Sequence, residues 1–118
     1  PKANLPVFIN CVIKCLIVEK RMNDPLFLLK KIKKLEKKLG RKYNRRNISR
    51  VIDIDILDHK GMVLNNDLIL PHPRMHIRYF VLKPLSSINK NWVHPVYKKK
   101  IDYLCSKIKP DQQIRLKL

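Results

Sequence analysis

Glycine is nearly absent: Gly40 and Gly61 are the only two in 118 residues. A Walker-type phosphate loop or a dinucleotide fingerprint needs several glycines at fixed spacing, so neither exists here. Any phosphate site must therefore be built from side chains. Cysteine is also scarce. Cys11, Cys15 and Cys105 form an odd set in apolar surroundings, which excludes a disulfide framework and reads as reduced, cytoplasmic and structural. No stretch approaches the ~18 uninterrupted apolar residues of a membrane span. The longest apolar run, residues 7–18, is broken by Asn10 and Lys14. No charged start followed by a plain apolar block marks a signal peptide. The chain opens on Pro1 without Met, as a processed product or a piece of something longer does. Acid is the last shortage, with nine Asp and Glu against 27 Lys and Arg, a formal net charge of +18.

What is present is a real core. Apolar residues make up 45% of the chain, which rules out a disordered basic tail, and the length suits one small domain. The positive surplus suggests a polyanionic partner: nucleic acid, an anionic membrane face or a nucleotide. A duller source competes. Nineteen Lys, 14 Ile and nine Asn are what AT-rich coding produces whatever the function.

Residues 7–18 are β-branched and apolar with period-2 sorting, which predicts a long, largely buried strand. Asn23-Asp24-Pro25 then reads as a helix start, with Asp as N-cap and Pro at the first helical position. Leu28, Ile32, Leu35 and Leu39 recur at helical spacing with lysines between them, and Gly40 sits where a C-cap is expected. Residues 40–50 read as a cationic loop and 51–57 as a second strand. His59-Lys60-Gly61 is a turn, with residues 62–64 a short strand paired across it, and Asn65-Asn66-Asp67 is another turn. Pro71-His72-Pro73 excludes regular helix. A helix is expected over 76–82, breaking near Pro84, and a last short one over 99–108. The order of elements indicates α+β or α/β, one layer of sheet with helices on a face.

The sharpest chemical feature is Ile52-Asp53-Ile54-Asp55-Ile56. In a strand, residues two apart point the same way, so both carboxylates project from one face. Such a pair either ends in water, paired with a nearby Arg, or shares hard cations. Oxygen ligands of this kind suit Mg²⁺, which keeps several waters and is completed by substrate phosphates. Arg50 just before the pair, and Pro71-His72-Pro73-Arg74 and Arg78 beyond it, supply groups able to meet phosphate. Other constellations are weak. Pro73 between His72 and His76 spoils a helical zinc pair. Cys11 and Cys15 would stand about 13 Å apart along a strand, at roughly 3.3 Å per residue, too far for one metal. His59 and His94 read as loop histidines. Glu36, alone among the helix lysines, reads as a surface ion pair with Lys33, worth ~0.3–0.5 kcal/mol.

Three ordered motifs carry a resemblance. They are residues 50–57 (Arg-Val-Ile-Asp-Ile-Asp-Ile-Leu), 70–75 (Leu-Pro-His-Pro-Arg-Met) and 78–85 (Arg-Tyr-Phe-Val-Leu-Lys-Pro-Leu). With Leu5-Pro6-Val7-Phe8-Ile9-Asn10 upstream, Glu36 to Arg41, and Trp92-Val93-His94-Pro95 downstream, the chain resembles the 6-hydroxymethyl-7,8-dihydropterin pyrophosphokinases. The resemblance implies transfer of diphosphate from ATP to a pterin alcohol in folate biosynthesis, in the cytoplasm. It implies that Asp53 and Asp55 hold two Mg²⁺ ions with ATP. Arg41 and Arg50 would be catalytic arginines. Glu36, Arg46, Arg50, Ile56, His72 and Arg78 would bind ATP, and Phe8, Asn10 and Phe80 the pterin. It also implies a ferredoxin-like antiparallel sheet with helices on its faces. Here that sheet would be incomplete at the N-terminus, the chain (1–118) being the C-terminal two-thirds of one pyrophosphokinase domain. The family's loop tryptophan is absent from Arg46-Asn47-Ile48-Ser49-Arg50. No nucleic acid or membrane partner is expected; the chain is a monomer, or a further segment is supplied by another chain. Two rival readings are a small basic RNA- or ribosome-binding protein, which leaves the aspartate pair unexplained, and an inactive chain of the same family.

Overall fold

Asp24-Pro25 does start the longest element. The amide of Leu26 donates to Asp24 Oδ1 at 3.0 Å, and that of Leu28 to the Asp24 carbonyl at 3.1 Å. Helix α1 spans Pro25–Tyr43, in a computed structural model that describes residues 10–43 and 52–109. A 3₁₀ turn, Lys20–Asn23, leads into it. The Arg21 guanidinium bonds Glu19 there, Nε to Oε1 at 2.6 Å, and lies 5.0 Å from the Phe27 ring. The helix continues past Gly40, where a C-cap was expected. Gly40 has no positive φ, and its neighbours Leu39, Arg41 and Lys42 are good helix formers, so nothing stops the helix there. A methyl at Gly40 would meet nothing within 4 Å. Arg41 therefore belongs to α1 and not to a loop.

Burial along α1 follows Pro25, Leu28, Leu29, Ile32, Glu36, Leu39 and Gly40, a stripe at helical spacing with half-buried Phe27 beside it and the lysines outside it. Leu35, expected in the stripe, is 47% exposed, and Glu36 takes the covered position.

Neither long expected strand forms among the described residues. Residues 10–18 and 52–57 carry no ladder. The reason is physical: strand geometry is held by paired backbone groups, and neither segment has a strand partner there. Ile13, Leu16 and Val18 accordingly stand exposed. The alternation in the second segment survives as burial. Asp53 and Asp55 are exposed, while Ile54 and Ile56 are half-buried.

The chain divides into two compact units, and the described part of one is residues 15–43 with 52–73. In it the expected turn is present, with Met62 N donating to the His59 carbonyl at 3.0 Å. Lys60 (φ 54°) and Gly61 (φ 72°) are both left-handed, the geometry of a type I′ turn, which explains the glycine. The short strand after it pairs differently from expectation. β1 (Leu64–Asn65) runs antiparallel to β2 (Ile69–Leu70), with Leu64 opposite Leu70 and Asn65 opposite Ile69. It pairs across the 66–68 bend because residues 52–57 offer no ladder. Leu70 and Pro71 are buried at its end.

The other unit, in its described part, is residues 10–14 with 74–109. A 3₁₀ turn, Met75–Ile77, precedes α2 (Tyr79–Ile88) and α3 (Ile101–Ser106). Pro84 lies inside α2 and does not end it, contrary to expectation. Lacking an N–H, Pro84 removes one helical bond, that to the Phe80 carbonyl. Buried Leu82 and Leu85 anchor the helix on both sides of that gap, and Asn89 N closes it onto the Leu85 carbonyl at 2.8 Å. Met75, Leu82, Leu85, Trp92, Ile101, Leu104 and Ile108 are the buried apolar set of this unit. The three helices and the small antiparallel sheet make the fold α+β.

Candidate functional site

The acidic segment has no strand neighbours among the described residues, so its conformation rests on individual bonds. Its centre is held from α1: the Ile54 amide donates to Glu36 Oε2 at 2.6 Å. Its end is held from the Pro-His-Pro stretch, where His72 N donates to the Leu57 carbonyl at 2.8 Å. The turn beyond is held twice more. His59 is buried, and its Nε2 donates to the Met22 carbonyl at 2.8 Å, which makes it the Nε2–H tautomer. The Lys60 ammonium donates to Asn23 Oδ1. His59 is thus a loop histidine, as expected, and a buried one with a structural bond.

These bonds leave Asp53 and Asp55 exposed, two residues apart, while the isoleucine between them is half-covered. Among the described residues no cluster of three or more His, Cys, Asp or Glu could by itself encircle a metal ion. Two exposed carboxylates are nonetheless a hard-oxygen donor set. They fit Mg²⁺, which retains waters and takes its remaining ligands from phosphate oxygens. They do not fit zinc, which needs three or four protein ligands, usually with nitrogen or sulfur.

Glu36 differs from its expected role as a surface ion pair. Lys33 Nζ does lie 3.1 Å from Oε1, but Glu36 is only 8% exposed, and its second oxygen serves the backbone between the two aspartates. A sequence signal for this existed: residues 25, 28/29, 32, 36 and 39/40 share one helical face, so the acid stood in the apolar stripe.

The remaining candidates divide between the units. Ile56 and His72 share the unit of Glu36, Asp53 and Asp55, and both are half-buried. Asn10, Arg78 and Phe80 belong to the other. Asn10 is exposed at the first described position. Arg78 is the exposed N-cap of α2, its carbonyl accepting from Val81 N at 3.1 Å and Leu82 N at 3.0 Å. No acid occupies the first turn of α2, so nothing there offsets a cation at the positive end of the helix. Phe80 is half-buried in that turn. Arg41 is in α1, and Phe8, Arg46 and Arg50 lie outside the described residues.

A nucleophilic cysteine has no support in this unit. Burial pushes the Cys105 thiol up; Lys83 opposes the rise and Asp102 adds to it, so at neutral pH the group stays a thiol. His94, the other expected loop histidine, is buried against the Trp92 and Tyr97 rings. Its Nδ1 accepts from the amides of Val96 and Tyr97, each at 3.1 Å. It is a packing group that shapes the loop before α3. Beside it, an open cleft of about 740 Å³ is lined by His76, Tyr97, Lys99, Tyr103 and Lys107 among others.

An α+β chain with an exposed carboxylate pair and exposed cations offers groups able to meet metal ions and phosphate without a glycine loop. The comparisons sharpen this. A model of the family "7,8-dihydro-6-hydroxymethylpterin-pyrophosphokinase (HPPK)" matches residues 1–90; the chain belongs to that family. It is 46% identical over 89 residues to the folic acid synthesis protein FOL1 of Dictyostelium discoideum, a match covering 75% of this chain and 13% of that protein. It is 38% identical over 109 residues to a 2-amino-4-hydroxy-6-hydroxymethyldihydropteridine pyrophosphokinase of Aquifex aeolicus, covering 92% of this chain and 63% of that one. Its counterpart in Haemophilus influenzae is 36% identical over 91 residues, 76% of this chain and 54% of that protein. The chain thus spans less than two thirds of each of these relatives. No helix of the described residues is long and apolar enough to cross a membrane.

Proposed function

We propose that the chain carries the ATP- and metal-binding part of a pterin pyrophosphokinase. This enzyme transfers diphosphate from ATP to 6-hydroxymethyl-7,8-dihydropterin in folate biosynthesis, in the cytoplasm. The observation that carries the reading is the exposed Asp53–Asp55 pair, braced from α1, inside the span that the family model matches. The pterin hydroxymethyl oxygen forms a bond to the β-phosphorus of ATP. The bond from that phosphorus to the oxygen bridging it to the α-phosphorus breaks, AMP leaves with that oxygen, and the hydroxyl proton is released.

Asp53 and Asp55 would hold two Mg²⁺ ions in this reading, which would supply positive charge beside the phosphates. Arg78, His72, Arg46, Arg50 and Ile56 bind the nucleotide, with Arg41 and Arg50 acting on the transferring group. Arg78 is supported by its place at the uncompensated N-terminus of α2, where an anion is favoured. Phe8 and Phe80 stack on the pterin and Asn10 hydrogen-bonds it. Catalysis in such a site is positioning and electrostatics, with no covalent intermediate on the protein. The fold reading that accompanies this is a ferredoxin-like sheet, in which residues 10–18 and 52–57 pair with strands not seen among the described residues. The family match runs across the boundary between the two units, which supports one pyrophosphokinase domain. A nucleic-acid role would use the +18 charge but leaves the braced acid pair without a purpose.

Isothermal titration tests the reading. α,β-Methylene ATP should bind with Mg²⁺ present and lose at least tenfold in affinity when Mg²⁺ is chelated. The pterin should bind more tightly after the nucleotide. Nucleotide affinity indifferent to Mg²⁺ would count against it.

A further inference from the structure

Glu36 is the one acid placed on the covered face of a helix otherwise studded with lysines. It is 8% exposed, in a stripe otherwise made of Pro25, Leu28, Leu29, Ile32, Leu39 and Gly40. Burying a carboxylate costs several kcal/mol unless its oxygens are satisfied. Here Oε1 meets Lys33 Nζ at 3.1 Å, and Oε2 accepts the Ile54 amide at 2.6 Å, a charge-assisted bond. A leucine at this position would continue the stripe at lower cost, so packing does not explain the acid.

Its partner does. The amide that Glu36 receives belongs to the peptide joining Asp53 to Ile54, at the centre of the carboxylate pair. Residues 52–57 have no ladder among the described residues, so no neighbouring strand sets the direction of these side chains. Two hydrogen bonds reach this stretch from distant residues: Glu36 to Ile54, and Leu57 to His72. The first of them falls between the aspartates.

We infer that Glu36 is a positioning residue for the metal-binding pair, orienting Asp53 and Asp55 through the backbone and touching neither metal nor nucleotide. The inference rests on the proposed function, and it replaces direct nucleotide contact by Glu36 with an indirect role. Bonds of this kind behind metal ligands typically govern affinity by about ten- to a hundredfold.

The test uses the 118-residue chain with Glu36→Ala, Glu36→Gln and Lys33→Ala. Two readings are taken well below the melting temperature. One is hydrogen exchange at the Ile54 amide; the other is Mn²⁺ affinity with α,β-methylene ATP, from the paramagnetic resonance of the free ion. In Glu36→Ala the Ile54 amide should lose its protection and Mn²⁺ should bind about tenfold more weakly. Glu36→Gln keeps an acceptor oxygen and should recover most of both, and it carries the test if the alanine variant does not fold. Lys33→Ala, which removes the ion pair but not the amide bond, should leave both within about twofold. An exposed Ile54 amide with unchanged Mn²⁺ affinity overturns the inference. So does an equal loss in Lys33→Ala, or a glutamine variant no better than alanine; all three leave the proposed function standing. A wild-type chain that binds no Mn²⁺ with the nucleotide removes that function, and this inference with it.

Discussion

Asp53→Ala and Asp55→Ala each lower kcat/KM for diphosphate transfer by at least about a thousandfold, the scale of losing a principal electrostatic stabiliser of the transition state. Both side chains are exposed, so neither substitution opens a cavity in the core. The melting temperature should therefore move little, which separates loss of chemistry from loss of fold. Asn at either position retains an oxygen but no charge, and should recover part of the nucleotide affinity and little of the rate. Turnover within tenfold of wild type in either alanine variant would remove the pair from the metal role. Steady-state kinetics beside a thermal melt decides it.

The largest stability effect is expected at Leu82. Its side chain is fully buried in α2, in the unit that also buries Met75, Ile101 and Leu104. Leu82→Ala deletes three carbons from that core and leaves a hole which the flanking helices only partly close, for a loss of about 3 kcal/mol. Pro84 sharpens this expectation, because α2 already lacks one backbone bond and leans on its apolar anchors. Trp92 is the chain's single tryptophan and is buried in the same unit, so its emission during urea unfolding reports on this core. A shift in midpoint equivalent to less than about 1 kcal/mol would show that the core tolerates the hole.

Local chemistry was legible wherever a few neighbouring residues settle it. Asp24-Pro25 starts a helix because a carboxylate and a missing N–H both suit a helix N-terminus. Lys60-Gly61 turns because two left-handed residues are needed there. The same local readings left α+β and α/β both open, and the resemblance chose the first, which the three helices and the small antiparallel sheet bear out. Failures came where the outcome depends on distant partners. Residues 10–18 and 52–57 have strand-like periodicity, but a strand requires a ladder, and periodicity does not supply one. Gly40 and Pro84 look like stops to a local reading, yet the helix formers around the first and buried leucines on both sides of the second carry the helices through. The sidedness of the acidic segment, Asp53 and Asp55 exposed and Ile54 and Ile56 half-buried, was legible from its spacing. The bond from Glu36 to Ile54 was not, because it joins residues 18 apart in sequence. Only the place of Glu36 in the apolar stripe hinted that it would be covered.

The proposed chemistry differs from ordinary phosphoryl transfer in which phosphorus is attacked, and product analysis reads that directly. Phosphorus NMR of the chain with MgATP and 6-hydroxymethyl-7,8-dihydropterin should show AMP and a pterin diphosphate rising in equal amounts, with no orthophosphate. ADP, orthophosphate or unchanged ATP in that tube would contradict the account.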